Sequence, residues 1–223
     1  MAARERKKSV VLLSGGLDSA ANLAFCREHD DPVLALTFRY GQKAASREAE
    51  AAAALCARYD VPHEVVELPW LGRLGGSALT QGNLIVPEIG VDRLDDARVT
   101  RETAKAVWVP NRNGIFINVA AAYAERRGAE QVVVGFNREE AATFPDNSEA
   151  FLERATAALA YSTLAKVRVF SYTSKWDKRE IVARLEGLPL SFPYDKIWSC
   201  YEGGAVPCGK CESCQRYKRA TQG

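Results

Sequence analysis

Histidine and methionine are almost missing from this chain, which has only His29, His63 and Met1 among 223 residues. With so few imidazoles, histidine acid–base catalysis is not expected, and the two stand in a strand-like stretch (His63) and near a helix end (His29). No run approaches the ~20 apolar residues that span a bilayer, and the N-terminus has no signal-peptide core. The expectation is a cytoplasmic protein without membrane contact. Internal repeats and low-complexity tracts are missing as well. So is an excess of one charge, since 30 basic against 28 acidic side chains leave +2. Residues 1–8, with Arg4, Arg6, Lys7 and Lys8, and residues 215–223, with Arg216, Lys218 and Arg219, each carry a net +3, so the body between stands at −4. A slightly acidic body does not suit a nucleic-acid partner. What is present is a globular composition, 47% hydrophobic and 26% charged, long enough for one full domain.

Short apolar runs alternate with helical patterns. Ser9-Val10-Val11-Leu12-Leu13 reads as a strand buried on both faces, and further strands are expected over 33–38, 63–68, 131–136 and 167–170. Helices are expected over 18–29, 42–59, 115–127, 148–161 and 177–186, with Gly128 stopping one and Asp177 starting another. Strands separated by helices need crossover connections, so the fold expected is α/β, a doubly wound parallel five-stranded sheet. The stretch 69–110, with five glycines, shows no regular pattern and reads as a long loop, either a lid or an insertion without a role. An α/β domain over 1–187 is expected to carry a metal-binding tail, 188–223, packed on it.

Ser14-Gly15-Gly16-Leu17-Asp18-Ser19 lies between the first strand and the first helix. A helix N-terminus there offers unpaired N–H groups and partial positive charge; glycines admit an anion closely and the hydroxyls add donors. The lysine of a mononucleotide P-loop is missing, as is the third glycine of the dinucleotide fingerprint. Asp18 would repel bare phosphate, so a bridging Mg²⁺ is inferred. A plain strand-to-helix turn capped by Asp18 or Ser19 is the alternative.

Four of the six cysteines, Cys200, Cys208, Cys211 and Cys214, fall in the last 24 residues with spacing C-x7-C-x2-C-x2-C. Four thiolates close a tetrahedral zinc site with no open position, hence a structural one. An iron–sulfur cluster and disulfides are the alternatives. Cys26 and Cys56 lie among apolar helical residues and read as core.

The Ser14–Ser19 hexapeptide resembles the Ser-Gly-Gly-x-Asp-Ser motif of the ATP pyrophosphatase (PP-loop) superfamily, which splits ATP between its α and β phosphates. Over nearly the whole chain the residues resemble the 7-cyano-7-deazaguanine synthases of the queuosine pathway. The likeness runs through Thr37-Phe38-Arg39-Tyr40-Gly41-Gln42, Val109-Pro110-Asn111-Arg112-Asn113, Gly135-Phe136-Asn137-Arg138-Glu139-Glu140, Phe144-Pro145-Asp146, Asp177-Lys178 and Trp198-Ser199-Cys200-Tyr201. It departs at Leu17, where many members carry glutamine, at Asn111, where many carry glycine, and at Phe136-Asn137, where Val-Cys is common. The resemblance implies a Rossmann-like, adenine nucleotide alpha-hydrolase-like sheet and conversion of 7-carboxy-7-deazaguanine to its nitrile. ATP with Mg²⁺ and ammonium would be used, the carboxylate and then the amide being adenylated. A structural Zn²⁺ and a homodimer are also implied.

On that resemblance Ser14, Gly15, Gly16, Leu17, Asp18, Ser19 and Phe38 would hold ATP. Asp18, Arg112 and Lys178 would be catalytic, the two cations facing the β and γ phosphates. Tyr40, Glu139, Glu140, Phe144 and Asp146 would hold substrate, the acids accepting from the guanine-like N–H edge or steering ammonium. Phe38, Tyr40, Phe144 and Trp198 would stack on the rings. Free ammonium is the expected donor, because 223 residues leave no room for a glutaminase domain. A tRNA-thiolating relative would instead need a reactive cysteine and a basic face, and a deazaguanine-conjugating relative a macromolecular acceptor.

Overall fold

The computed structural model describes residues 5–222, so Arg4 of the basic N-terminal run lies outside the described residues. Five parallel strands form one sheet: β1 (Lys8–Leu12), β2 (Asp31–Arg39), β3 (His63–Glu67), β4 (Gln131–Val133) and β5 (Arg168–Phe170). Their spatial order is β3-β2-β1-β4-β5, the doubly wound sheet that the sequence implied. The helices are α1 (Leu17–His29), α2 (Ala45–Tyr59), α3 (Pro69–Arg73), α4 (Ala97–Val107), α5 (Arg112–Arg126), α6 (Arg138–Ala141), α7 (Glu149–Ser162), α8 (Lys178–Leu185) and α9 (Glu212–Gln222). None of the described helices is long and apolar enough to cross a membrane.

Strand alternation divides the core in two. Val10, Leu34, Leu36 and Val132 meet Ile117, Ala120 and Ala124 of α5 and Leu152 and Leu159 of α7. Val11, Ala35 and Val133, each one residue on, meet α1, Ala52 and Leu55 of α2, and Ile181 and Leu185 of α8. Helix α1 is buried without a break from Ser19 to Cys26, and alanines at 20, 21 and 24 let it sit close to the sheet. Its buried Asn22 is fully committed: Nδ2 donates to Asp18 O (2.9 Å) and Thr173 Oγ1 (2.7 Å), while Oδ1 accepts from Tyr172 N (2.8 Å). This ties the first helix to the chain leaving β5.

The chain runs from β1 outward to β3, then returns to lay β4 on the other side of β1. In such sheets ligands bind in the crevice at the carboxyl ends where the order reverses. Here that point lies between β1 and β4, so the fold places the Ser14–Ser19 loop in the crevice.

The stretch 69–110, expected as one irregular loop, contains α3 and α4. Pro69 starts α3 at its first turn, and Asp96 caps α4 by accepting from Arg98 N (3.0 Å) and Val99 N (3.3 Å). The buried stripe of α4 is Thr100, Thr103, Ala104 and Val107. Its spacing is helical, but two threonines and an alanine hide it from an apolar pattern. Asn111, before α5, has φ +52°, the left-handed region that favours glycine and tolerates asparagine.

Candidate active site

Two glycines let the loop fit into the switch point. At Gly15 (φ +80°) a Cβ would stand 2.7 Å from Ala51 Cβ, so the loop is wedged against α2; at Gly135, just beyond β4, it would stand 2.7 Å from Ser19 N. The loop holds its own shape through Ser14 Oγ and Ser19 Oγ, 3.1 Å apart, and Ser14 N donating to Ser19 Oγ at 3.2 Å. At Gly16 a Cβ would lie 3.5 Å from Ser14 Oγ and 3.9 Å from Ser199 Oγ, so an open cradle there is flanked by two hydroxyls. These features fit a phosphate group.

The C-terminal segment closes the cradle from outside. Trp198 N donates to Gly15 O (2.9 Å) and Leu17 N to Ser199 Oγ (3.2 Å). Trp198 and Ser199 therefore form part of the cavity wall.

Lys178 begins α8 behind the Asp177–Glu180 capping box, the start that the sequence indicated. It is only 6% exposed, and its Nζ pairs with the Asp18 carboxylate and with Glu140 Oε1 (2.8 Å). Burial works against the ammonium, but Asp18 and Glu140 outweigh it and raise its pKa. Burial, helped by Glu140 and Glu139 and opposed by Lys178, pushes Asp18 up to about 6. Glu140 is held below its ordinary value: burial opposes this, and Lys178 prevails. It rides on α6, where Asn137 Oδ1 accepts from Glu140 N at 2.9 Å. Asp18 Oδ1 is buried without a hydrogen-bond partner, as is Trp198 Nε1. An unpartnered carboxylate oxygen beside a phosphate cradle is a donor that fits a hard cation such as Mg²⁺.

Across the cavity, Arg112 opens α5 and donates to neutral partners, Asn113 Oδ1 (3.3 Å) and Tyr40 OH (3.5 Å). Phe38 stacks on Phe116 with centroids 4.2 Å apart. The cavity between these groups measures about 230 Å³ and is lined by Ser14, Gly16, Leu17, Asp18, Ser19, Phe38, Tyr40, Arg112, Glu140, Phe144, Lys178 and Trp198. Three residues expected at the site are not on that wall. Gly15 lies behind the loop against α2. The Glu139 carboxylate pairs instead with Arg216 and Arg219 of α9. Asp146 is half-buried; burial raises its pKa against the pull of Arg112, and its backbone carbonyl accepts from Asn113 Nδ2 (3.4 Å). Sequence reasoning missed Glu48, Asn113, Phe116, Ser199 and Tyr201 as wall residues. Glu48 is fixed by Gln42 Nε2 donating at 2.8 Å, and burial raises its pKa. Nothing in an alanine-rich helix marked it.

The ligating sulfurs of Cys200, Cys208, Cys211 and Cys214 all lie within 4.8 Å of one another. Cys208 and Cys214 Sγ are 3.9 Å apart; a tetrahedron with ~2.3 Å metal–sulfur bonds has edges of about 3.8 Å. Amides of Glu202 and Cys208 donate to Cys200 Sγ, both at 3.3 Å, and Cys211 N to Cys208 Sγ at 3.4 Å, which favours thiolate charge. Gly209, at φ +72°, makes the knuckle turn. This cluster fits a metal ion. Cys26 and Cys56 are buried core thiols, as expected, and burial pushes each up to about 12.

A family model described as "Queuosine biosynthesis protein QueC" matches residues 8–223. Three curated relatives are named 7-cyano-7-deazaguanine synthase. That of Desulforudis audaxviator is 55% identical over 213 residues, covering 96% of each chain. That of Desulforamulus reducens is 53% identical, covering 95% of this chain and 92% of its own, and that of Bdellovibrio bacteriovorus 51%, covering 97% and 94%.

Proposed function

The chain belongs to the QueC family of queuosine biosynthesis proteins, and from that membership we infer that it is a 7-cyano-7-deazaguanine synthase, an ATP-dependent carbon–nitrogen ligase. Its substrates are 7-carboxy-7-deazaguanine, ammonia and ATP. The observation that carries the assignment of the site is the Asp18–Lys178–Glu140 cluster standing beside the Ser14–Ser19 cradle in one cavity.

A carboxylate resists attack by ammonia until one oxygen becomes a leaving group. A carboxylate oxygen attacks the α-phosphorus of ATP, the bond to the β-phosphate oxygen breaks, and pyrophosphate departs. The loop amides, Ser14, Ser19, Lys178 and Arg112 bind the charge that builds up, and such fixed dipoles and cations act mostly by positioning. Ammonia then adds to the acyl carbon, AMP leaves with the carboxylate oxygen, and an amide forms. A second adenylation, on the amide oxygen, lets AMP depart as the nitrogen loses both protons, leaving the nitrile. Phe38, Tyr40, Phe144 and Trp198 supply flat surfaces for adenine and deazaguanine. Glu140 is the acid on the cavity wall that would accept N–H groups, whereas Asp146 lies off that wall. Asp18, through Oδ1, would hold a Mg²⁺, which when bound neutralises phosphate charge. The four cysteines would hold a structural zinc that fixes residues 198–201 against the loop.

A tRNA-thiolating role would need a free reactive thiol at the cavity, whereas Cys200 on its wall belongs to the four-cysteine cluster, and Cys26 and Cys56 are buried core residues off the wall. Arg216 and Arg219 of the basic C-terminus are engaged by Glu139 rather than presented to a polyanion.

Purified chain mixed with Mg-ATP, ammonium and 7-carboxy-7-deazaguanine is expected to yield the nitrile, detected by mass. A folded, metal-loaded sample that makes none contradicts the assignment.

A further inference from the structure

Helix α6 is a single turn, too short to keep its own direction, yet it carries Glu140 against Lys178. Three consecutive side chains tie it to two neighbours, the start of α8 and α9. Arg138 reaches Asp177 (3.0 Å) and Glu180 (2.8 Å) of the α8 capping box, and Glu140 meets Lys178. Between them Glu139 turns toward α9: Oε1 accepts from Arg216 and Arg219, and Oε2 from the backbone N–H of Lys178 at 3.4 Å.

Arg216 is only 4% exposed, and its Nε and Nη2 fork onto Glu212 Oε1 at 2.9 and 2.7 Å. Glu212 Oε2 in turn accepts from Thr103 Oγ1 of α4 at 2.5 Å, and Arg219 also reaches Asp95 at 2.9 Å. A buried ion pair is a poor device for stability, because desolvation offsets most of the attraction. What a guanidinium fork between two carboxylates supplies is fixed direction. Here the fork starts two residues after Cys214, a member of the metal-holding cluster, and ends on the residue before Glu140.

We propose that Arg216, acting through Glu139, is a positioning residue for the reaction: it fixes α6 and the backbone of Lys178 so that the Lys178 ammonium and Glu140 face the phosphate loop. The turnover part of the test rests on the proposed function; the labelling part does not. Glu139→Gln and Arg216→Lys are compared with the parent as full-length, metal-loaded proteins. Brief exposure to a small amine-acylating reagent, read by mass spectrometry at Lys178, reports how firmly that side chain is held. Labelling of Lys178 is expected to rise several-fold in both variants at unchanged metal content. The kcat falls about 10- to 100-fold with the KM for ATP less affected, as displacement of a catalytic group by ~1 Å produces. The double variant is expected to be no worse than the more affected single, since both act on one link. Lys178 labelled no faster than in the parent overturns the proposal whatever turnover does. If Arg216→Lys does not fold, the isosteric Glu139→Gln, which leaves Arg216 on Glu212, decides alone.

Discussion

Lys178→Met is expected to lower turnover at saturating ATP by about 100- to 1000-fold, the range for removing one preorganised charge-stabilising donor. The side chain is almost completely enclosed, with Asp18 and Glu140 both on its ammonium. Methionine keeps the length and the packing and removes only the charge that, on the proposed mechanism, meets departing pyrophosphate. It also leaves two carboxylates facing each other, and breaking a buried pair in this way destabilises by about 3–5 kcal/mol. Turnover is therefore measured well below the melting temperature of the variant, by release of pyrophosphate. A folded Lys178→Met protein with near-parental turnover would remove Lys178 from the chemistry.

Stripping the metal with a chelator is expected to cost tenfold or more in turnover, on the order of what loss of outer supporting groups costs at a metal site. It should also lower the melting temperature by about 10 °C, both restored by adding zinc. The path is short: Cys200 follows directly on Trp198 and Ser199, whose backbone and hydroxyl hold Gly15 and Leu17 of the phosphate loop. Without four ligated thiolates that segment loses its anchor, and one wall of the cavity goes with it. Cys211→Ser is expected to behave like the stripped protein and to resist restoration. A metal-free chain with full turnover would show that residues 198–201 hold the loop unaided.

Much of this arrangement was legible in the residues. Glycines and hydroxyls after an apolar strand mark the Ser14–Ser19 turn that the fold sets in the crevice, and cysteine spacing marks the four-cysteine cluster that could hold a metal, because both chemistries demand particular atoms at close sequence intervals. The parallel sheet followed from apolar runs separated by helices. Helices α4 and α9 were not legible: α4 buries Thr100 and Thr103, and α9 buries Glu212 and Arg216, so neither shows an apolar stripe. Their burial depends on partners from elsewhere in the chain. Glu139 shows the same limit at the site. Adjacent to Glu140 and of the same type, it differs only in which way a single helical turn points it, and that direction is set by α9, some 80 residues further on. Glu48 likewise joins the cavity because Gly15 brings the loop against α2.

The carboxylate oxygens offer the most direct measurement. With ¹⁸O in the carboxylate of 7-carboxy-7-deazaguanine, attack on the α-phosphorus carries label into AMP, and pyrophosphate stays unlabelled while the nitrile forms. Label in inorganic phosphate, with ADP as the other product, would contradict activation at the α-phosphate and the assignment of the Ser14–Ser19 loop as a pyrophosphate cradle.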